Sequence, residues 1–166
     1  MQFGASVRLL CLEGLMLGAN TALRSQFESL VRSVWALHKA SDLQVSKLSA
    51  ELTKETQQAS KNMPSVNEMM IELGKIPELA NLMISLNEFK SSSWLPLNSF
   101  VHSGLHAAHW TRNEVPEKLI ERVFKASNGL MLLAFQGIGI LTGIPNIQTQ
   151  IISATESYSS CFLDRR

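Results

Sequence analysis

Three of the four histidines in this sequence, His102, His106 and His109, lie close together in one short segment. With Asn98 they repeat every three or four residues, the spacing that places side chains on one face of an α-helix. Imidazole groups in such a stripe can transfer protons near neutral pH, bind a metal, or simply make polar contacts between packed helices. We select His102 as the first catalytic candidate, and Asn98, His106 and His109 as binding candidates.

A metal centre is the least favoured use of these histidines. No glutamate lies between them in the zinc-protease pattern, and no third ligand is within sequence reach. The two cysteines, Cys11 and Cys161, stand at opposite ends of the chain without metal-ligand spacing, and we expect both to be buried free thiols. The sequence therefore predicts no metal and no other cofactor.

A second polar stripe, Arg24, Glu28 and Arg32, repeats every four residues beside an apolar helical face. Its ordinary interpretation is a ladder of ion pairs within one helix. Its functional interpretation is that Arg24 and Glu28 border the core and meet the histidine segment. A carboxylate would then fix an imidazole tautomer, and an arginine would hold an anion. This interpretation adds Arg24 and Glu28 to His102 as catalytic candidates.

Helix signals recur along the chain, whereas strand alternation and hairpin turns are nearly absent. We predict an all-α fold: one domain over residues 1–166, built as a bundle of about six to eight helices. Capping boxes at Ser41 and Ser65 predict two helix starts, the first opening a helix to about Ser60 that lies on the outside. The other expected elements are an amphipathic helix in 1–19, a helix from 20 or 21 to about 40, a loop at 91–96, and helices at 97–110, 116–142 and 146–162.

Two apolar segments resemble membrane or export signals in composition. The N-terminal one contains Arg8 and Glu13, which do not suit a signal peptide. The segment from Gly129 to Ile144 is shorter than the ~20 residues of a membrane span, so we expect a fully buried core helix there. These interpretations predict a protein of the cytoplasm with no membrane partner.

Overall charge gives little support to a nucleic-acid partner. The chain has 15 basic and 14 acidic residues and a net charge of +1, without a dense basic run. Apolar residues make up 45% of the chain, and seven are methionines. This apolar content exceeds what a small monomer needs, and it favours a homodimer or another protein partner.

Residues 94–104, WLPLNSFVHSG, carry a resemblance to a bacterial family of unknown function. Ser127-Asn128-Gly129, the late Cys161 and the early segment 23–28, LRSQFE, fit the same family. The resemblance spans most of the chain, and it adds Trp94, the first residue of the longest motif, to the binding candidates.

More distantly, this family is similar to HEPN-type helical bundles, many of which are dimeric, metal-independent ribonucleases of defence and toxin–antitoxin systems. In their motif an arginine that grips the scissile phosphate precedes, by a few residues, a histidine that helps to move the proton. Here Asn98 precedes His102 and no arginine is near, while only Arg32 and His38 show the motif spacing. We therefore expect a dimeric interaction or accessory protein, with a HEPN-like ribonuclease or a small-molecule binder as the alternatives.

Overall fold

Residues 1–59 and 63–163 are described by a computed structural model of the chain. All regular structure in these two ranges is helical, which confirms the predicted all-α class. The ranges contain two 3₁₀ turns, at Pro77–Leu79 and Ser159–Cys161, and nine α-helices, one more than the upper end of the prediction. The α-helices are α1 (Gln2–Leu12), α2 (Met16–His38), α3 (Asp42–Ser49), α4 (Lys54–Ala59), α5 (Val66–Leu73), α6 (Ala80–Val101), α7 (Leu105–Arg112), α8 (Glu117–Thr142) and α9 (Ile147–Glu156).

The chain divides into two compact units. Unit 1 comprises residues 1–27 and 87–166, and unit 2 comprises residues 28–86, so the division falls within α2 and α6. Each unit has its own buried apolar side chains. The single domain over residues 1–166 stays a prediction.

In unit 1 the long helix α8 packs against α1, α9 and the last 3₁₀ turn. Two glycines mark the places where helices approach closely. A Cβ at Gly4 of α1 would lie 2.5 Å from the Met131 sulfur, and a Cβ at Gly139 of α8 would lie 3.1 Å from Ile151 and 3.3 Å from Ile147. A side chain at Gly4 would force the flexible Met131 side chain to move, and one at Gly139 would press on the two α9 isoleucines, so glycine lets these helices pack closely.

In unit 2 both predicted capping boxes are present. Ser41 caps α3 with Gln44, and Ser65 caps α5 with Glu68. Hydrogen bonds from the Ser65 backbone and hydroxyl lower the pKa of the Glu68 carboxyl. The α3 helix has no buried residue, as predicted for a polar outer helix.

The apolar face of α5 supplies part of the unit 2 core. Its buried residues follow helical spacing and are Val66, Met69, Met70 and Leu73. Trp35 is almost fully buried, and its indole Nε1 donates a 2.5 Å hydrogen bond to Glu72 Oε2. The apolar body of Trp35 is therefore hidden while its N–H group keeps a partner.

The predicted loop at 91–96 is wrong, because α6 runs through it and contains Pro96. The hydroxyls of Ser91 and Ser92 donate to the carbonyls of Glu88 and Phe89 in their own helix, at 2.9 and 3.1 Å. These serines are thus satisfied inside a helix, and the helix continues through Pro96 although the proline removes one backbone hydrogen bond and its ring crowds the preceding turn.

The first helix, expected in 1–19, ends at Leu12, and α2 begins at Met16 rather than at 20 or 21. Two other predicted boundaries also differ. The helix expected from Ser41 to Ser60 ends at Ser49 and a separate α4 follows, while Ser60 lies outside the described residues. The last helix ends at Glu156, short of 162. Both deviations fall in polar segments, where few apolar contacts extend a helix.

The expectation of a fully buried helix at 129–144 is also wrong. Phe135, Ile138, Leu141 and Ile144 are each about half exposed. Within the described residues, α8 is the one helix that is long and apolar enough to cross a membrane by length and composition, and 28% of its most apolar window is buried.

Candidate functional site

The histidine stripe does not lie on a single helix. Helix α6 ends at Val101, and α7 begins at Leu105 after a turn. His102 therefore lies in the turn, while His106 and His109 lie on α7. The predicted continuous helix over 97–110 and its single polar face are wrong.

A Schellman motif makes this corner between the two helices. Ser103 has the left-handed φ of 53°, its N–H group faces the Phe100 carbonyl at 3.5 Å, and the Gly104 N–H group donates to the Ser99 carbonyl at 2.7 Å. The Ser99 hydroxyl then accepts from the His106 backbone N–H group at 2.9 Å and so caps α7. Serine here occupies the left-handed position that glycine usually takes.

Close packing explains the glycine at 104. A Cβ there would lie 2.7 Å from the Ser99 hydroxyl oxygen, the same atom that caps α7. The segment Ser99 to Gly104 is therefore explained by the helix corner that it builds. The residue types in the most specific part of the 94–104 motif are therefore accounted for by structure, without a catalytic role.

All three histidine side chains at the corner are exposed. The His106 ring lies 6.2 Å from the Phe100 ring, and the His109 ring packs edge-on against Trp110 at 4.6 Å. Across residues 1–59 and 63–163, no hydrogen bond or ion pair from the His102 imidazole is found, and no group of three His, Cys, Asp or Glu residues could hold a metal ion. The His102 imidazole thus lacks, in this part of the chain, a carboxylate that would orient it.

Arg24 does meet the 94–104 segment, at a position one turn before His102. Its guanidinium Nη1 donates to the Asn98 side-chain oxygen, and its Cζ lies 4.6 Å from the centre of the Trp94 ring. The Trp94 ring in turn meets the edge of Phe27 at 5.9 Å. The structure therefore brings together Arg24, Trp94 and Asn98 in one half-buried cluster, joined by a hydrogen bond and a cation–π contact.

The remaining catalytic candidate lies in the other unit. Glu28 follows Arg24 by one turn of α2, is half-buried, and falls in unit 2. Joint action of Arg24, Glu28 and His102 stays a prediction.

Two buried polar links were not found by sequence reasoning. Gln26 Nε2 donates to the Ser127 carbonyl at 2.9 Å, and the Ser127 hydroxyl donates back to Gln26 Oε1 at 2.7 Å. Asn128 Nδ2 donates to the Cys161 carbonyl at 2.9 Å. These links could have been predicted from the polar residues that lie inside apolar helical runs, because buried polar groups need a hydrogen-bond partner.

The cysteines differ from each other. Cys11 is buried, and that burial raises the pKa of its thiol. Cys161 is exposed, so the expectation that both thiols are buried is wrong for Cys161. The backbone carbonyl of Cys161 accepts from Asn128, a contact that does not depend on the thiol.

An open groove of about 760 Å³ lies in unit 1, between α1, α2 and the α6–α7 corner. Its apolar lining includes Phe3, Leu17 and Phe100, and five serine or threonine hydroxyls complete it. None of its lining residues is ionisable, so Arg24 and the three histidines of the corner lie outside it. The groove and the Arg24 cluster are separate features of the same unit.

Comparison with curated proteins and with solved structures gave no match. A family model matches residues 1–164, almost the whole chain. That match confirms the expected family of unknown function, although it supplies no activity. The chain belongs to a family of unknown function, DUF6988.

Proposed function

We propose that this protein is a non-catalytic interaction protein that forms a homodimer through the apolar surface of α8 and α9. The residues of this surface, which we name the hairpin surface, are Phe135, Ile138, Leu141, Ile144 and Ile152. Each of the five is between 43% and 63% exposed. An apolar patch of this kind on a soluble protein typically marks an interface.

The hairpin surface lies in a stretch without charge. No Asp, Glu, Lys, Arg or His occurs from Ala126 to Thr155, whereas the first turns of α8 carry Lys118, Glu121 and Arg122. Surface helices normally place charged residues on the side that faces water. The missing charges indicate that this part of unit 1 is covered when the protein functions.

The exposed side chains continue a face of α8 that is buried earlier in the helix. Ser127 and Leu130 are 0% and 3% exposed, and Ile138 and Leu141 follow on the same face but are 49% and 63% exposed. The packing face thus extends beyond the part that unit 1 covers. This continuity is the observation that carries the proposal.

A second copy of the chain fits this surface better than a bilayer does. A twofold axis brings identical patches together, so an uncharged patch meets an uncharged patch. Ser127 and Asn128 anchor the middle of α8 inside unit 1 through side-chain hydrogen bonds. The helix that remains beyond Asn128 is shorter than the ~20 residues of a membrane span.

Light scattering coupled to size-exclusion chromatography tests the proposal. The wild type at about 50 µM should elute as a dimer, and a double variant, Ile138→Asp with Leu141→Asp, as a monomer. Burying two unpaired carboxylates costs at least about 3 kcal/mol, which weakens association about 100-fold or more. The matched control, Ile71→Asp with Ile84→Asp, changes residues of similar exposure in unit 2 and should remain a dimer.

Two outcomes would contradict self-association. One is a wild type that is monomeric at this concentration. The other is a wild-type monomer that sediments with phosphatidylcholine vesicles while the hairpin variant stays in solution, which would assign the surface to a lipid partner. We also propose a cytoplasmic location, which the two free thiols support.

A metal-independent, HEPN-like ribonuclease is the second candidate. The contact between Arg24 and Asn98 favours it, because it brings an arginine to the segment one turn before His102. The test is cleavage of single-stranded RNA in EDTA by wild type, Arg24→Ala and His102→Ala. Loss of cleavage in both folded variants would support the nuclease, and a wild type that does not cleave would eliminate it.

A further inference from the structure

We propose that the unit 1 groove binds a small neutral molecule with an apolar body and hydrogen-bond donors. The groove is lined by residues of α1, α2, α6, α7 and the α6–α7 corner, none of which belongs to the hairpin surface. This proposal therefore stands or fails independently of homodimer formation.

The size and lining of the groove suit a small organic ligand. Its volume of about 760 Å³ falls within the usual range for ligand sites. Phe3 and Leu17 are 43% and 39% exposed there, whereas Phe100 is 9% exposed. An apolar ligand body would remove the two exposed side chains from water.

The hydroxyl groups of the groove are oriented as acceptors. Four of the five donate their hydrogen to a carbonyl of their own helix, which leaves the oxygen lone pairs for a ligand. The four bonds run from Ser6 to Gln2 at 3.1 Å, Thr21 to Leu17 at 2.9 Å, Ser25 to Thr21 at 3.2 Å and Thr111 to Ala107 at 2.8 Å. A ligand that donates hydrogen bonds therefore matches these four hydroxyls better than a ligand that only accepts them.

Because none of its lining residues is ionisable, the groove offers no charged partner to a ligand group of either sign. A phosphate or carboxylate would lose water and find neither an arginine nor a lysine in the lining. An ammonium group would likewise find no carboxylate there. The ligand chemistry that remains is neutral.

A pair of fluorescent probes tests this charge preference on the full chain. N-phenyl-1-naphthylamine is neutral and carries one N–H donor, and 8-anilinonaphthalene-1-sulfonate has the same ring system with an added anionic group. We expect the neutral probe to bind about ten-fold more tightly or better, because the sulfonate would be desolvated without a partner. Equal or tighter binding of the sulfonate probe would overturn the proposal.

Two variants locate the neutral probe. Ala108→Trp fills the groove from an exposed position of α7 and should abolish binding, whereas Ala80→Trp, at an exposed position of α6 in unit 2, should leave it unchanged. Thr111→Val keeps the side-chain shape but removes one acceptor, and should weaken binding of the neutral probe about five-fold.

The hairpin surface provides the decisive comparison. The variant Ile138→Asp with Leu141→Asp should bind the neutral probe as the wild type does. If that variant loses binding while Ala108→Trp retains it, the probe occupies the hairpin surface and the groove proposal is wrong. Wild-type protein that binds neither probe would also overturn it.

Discussion

The reciprocal link between Gln26 and Ser127 is the feature whose energetics can be worked out most fully. Ser127 is 0% exposed and Gln26 is 7% exposed, so neither side chain can turn to water. Replacing Ser127 with alanine removes the 2.7 Å bond and leaves the Gln26 oxygen buried without a donor. A lost hydrogen bond with a stranded buried acceptor costs about 2 kcal/mol of unfolding free energy.

Replacing Gln26 instead of Ser127 should lower the free energy of unfolding by less. In Gln26→Leu the Ser127 hydroxyl can donate to a carbonyl of its own helix, so we expect a loss of about 1 kcal/mol. The double variant removes both polar side chains of this pair, so neither position keeps a stranded polar group, and it should also lose only about 1 kcal/mol. The two changes are therefore strongly non-additive, with a coupling of about 2 kcal/mol.

Urea unfolding followed by far-UV circular dichroism would measure this double-mutant cycle. Ser6→Ala in the same unit is the control, because that exposed hydroxyl bonds only its own helix and should change stability by less than about 0.5 kcal/mol. Additive losses within about 0.5 kcal/mol would refute the reasoning, since independent sites add within that margin.

Three further predictions concern the corner, a capping box and the thiols. Gly104→Ala should lower the free energy of unfolding, measured in urea, by about 1 kcal/mol, because the new Cβ displaces the Ser99 hydroxyl that caps α7. Adding Ser99→Ala to this variant should cost little more, because that cap is already lost. Because the pKa of Glu68 is lowered in the folded protein, its carboxylate stabilises the fold fully above its ordinary pKa of 4.5, and this stabilisation is lost as pH falls through the lowered value. The free energy of unfolding of Glu68→Gln should therefore depend less on pH between pH 6 and 3 than that of the wild type. An unchanged pH dependence would contradict this. Native protein should show one fast thiol with Ellman's reagent at pH 8, Cys161, while buried Cys11 with its raised pKa reacts only on unfolding; two fast thiols would oppose this assignment.

Local signals were sufficient where a structure is made by neighbouring residues. The capping boxes at Ser41 and Ser65 need only a side chain and an amide three residues apart, and both helix starts were predicted. The run of serines before Pro96 misled the same reasoning, because long-range packing keeps α6 intact there. Leu97 is 2% exposed, and Trp94 meets Phe27 from a distant part of the chain.

The candidate site was predictable only in part, because its geometry also depends on contacts between distant parts of the chain. Arg24 and Asn98 were both recognised as polar residues beside apolar faces, and the structure joins them. Helical spacing alone, however, placed His102 on the same helix as His106. The turn between them depends on the left-handed backbone of Ser103, a conformation that can rarely be predicted from sequence at a residue other than glycine.

The helix corner and the Gln26–Ser127 link should form at different times during folding. The cap from Ser99 to His106 joins residues seven positions apart, whereas Gln26 and Ser127 are 101 positions apart. Closing the short loop costs less chain entropy, so the corner forms while the long-range contacts are still open. We therefore expect that weakening the corner slows folding and that weakening the Gln26–Ser127 link mainly speeds unfolding. The lifetime of the folded protein is thus governed by the contacts that close last.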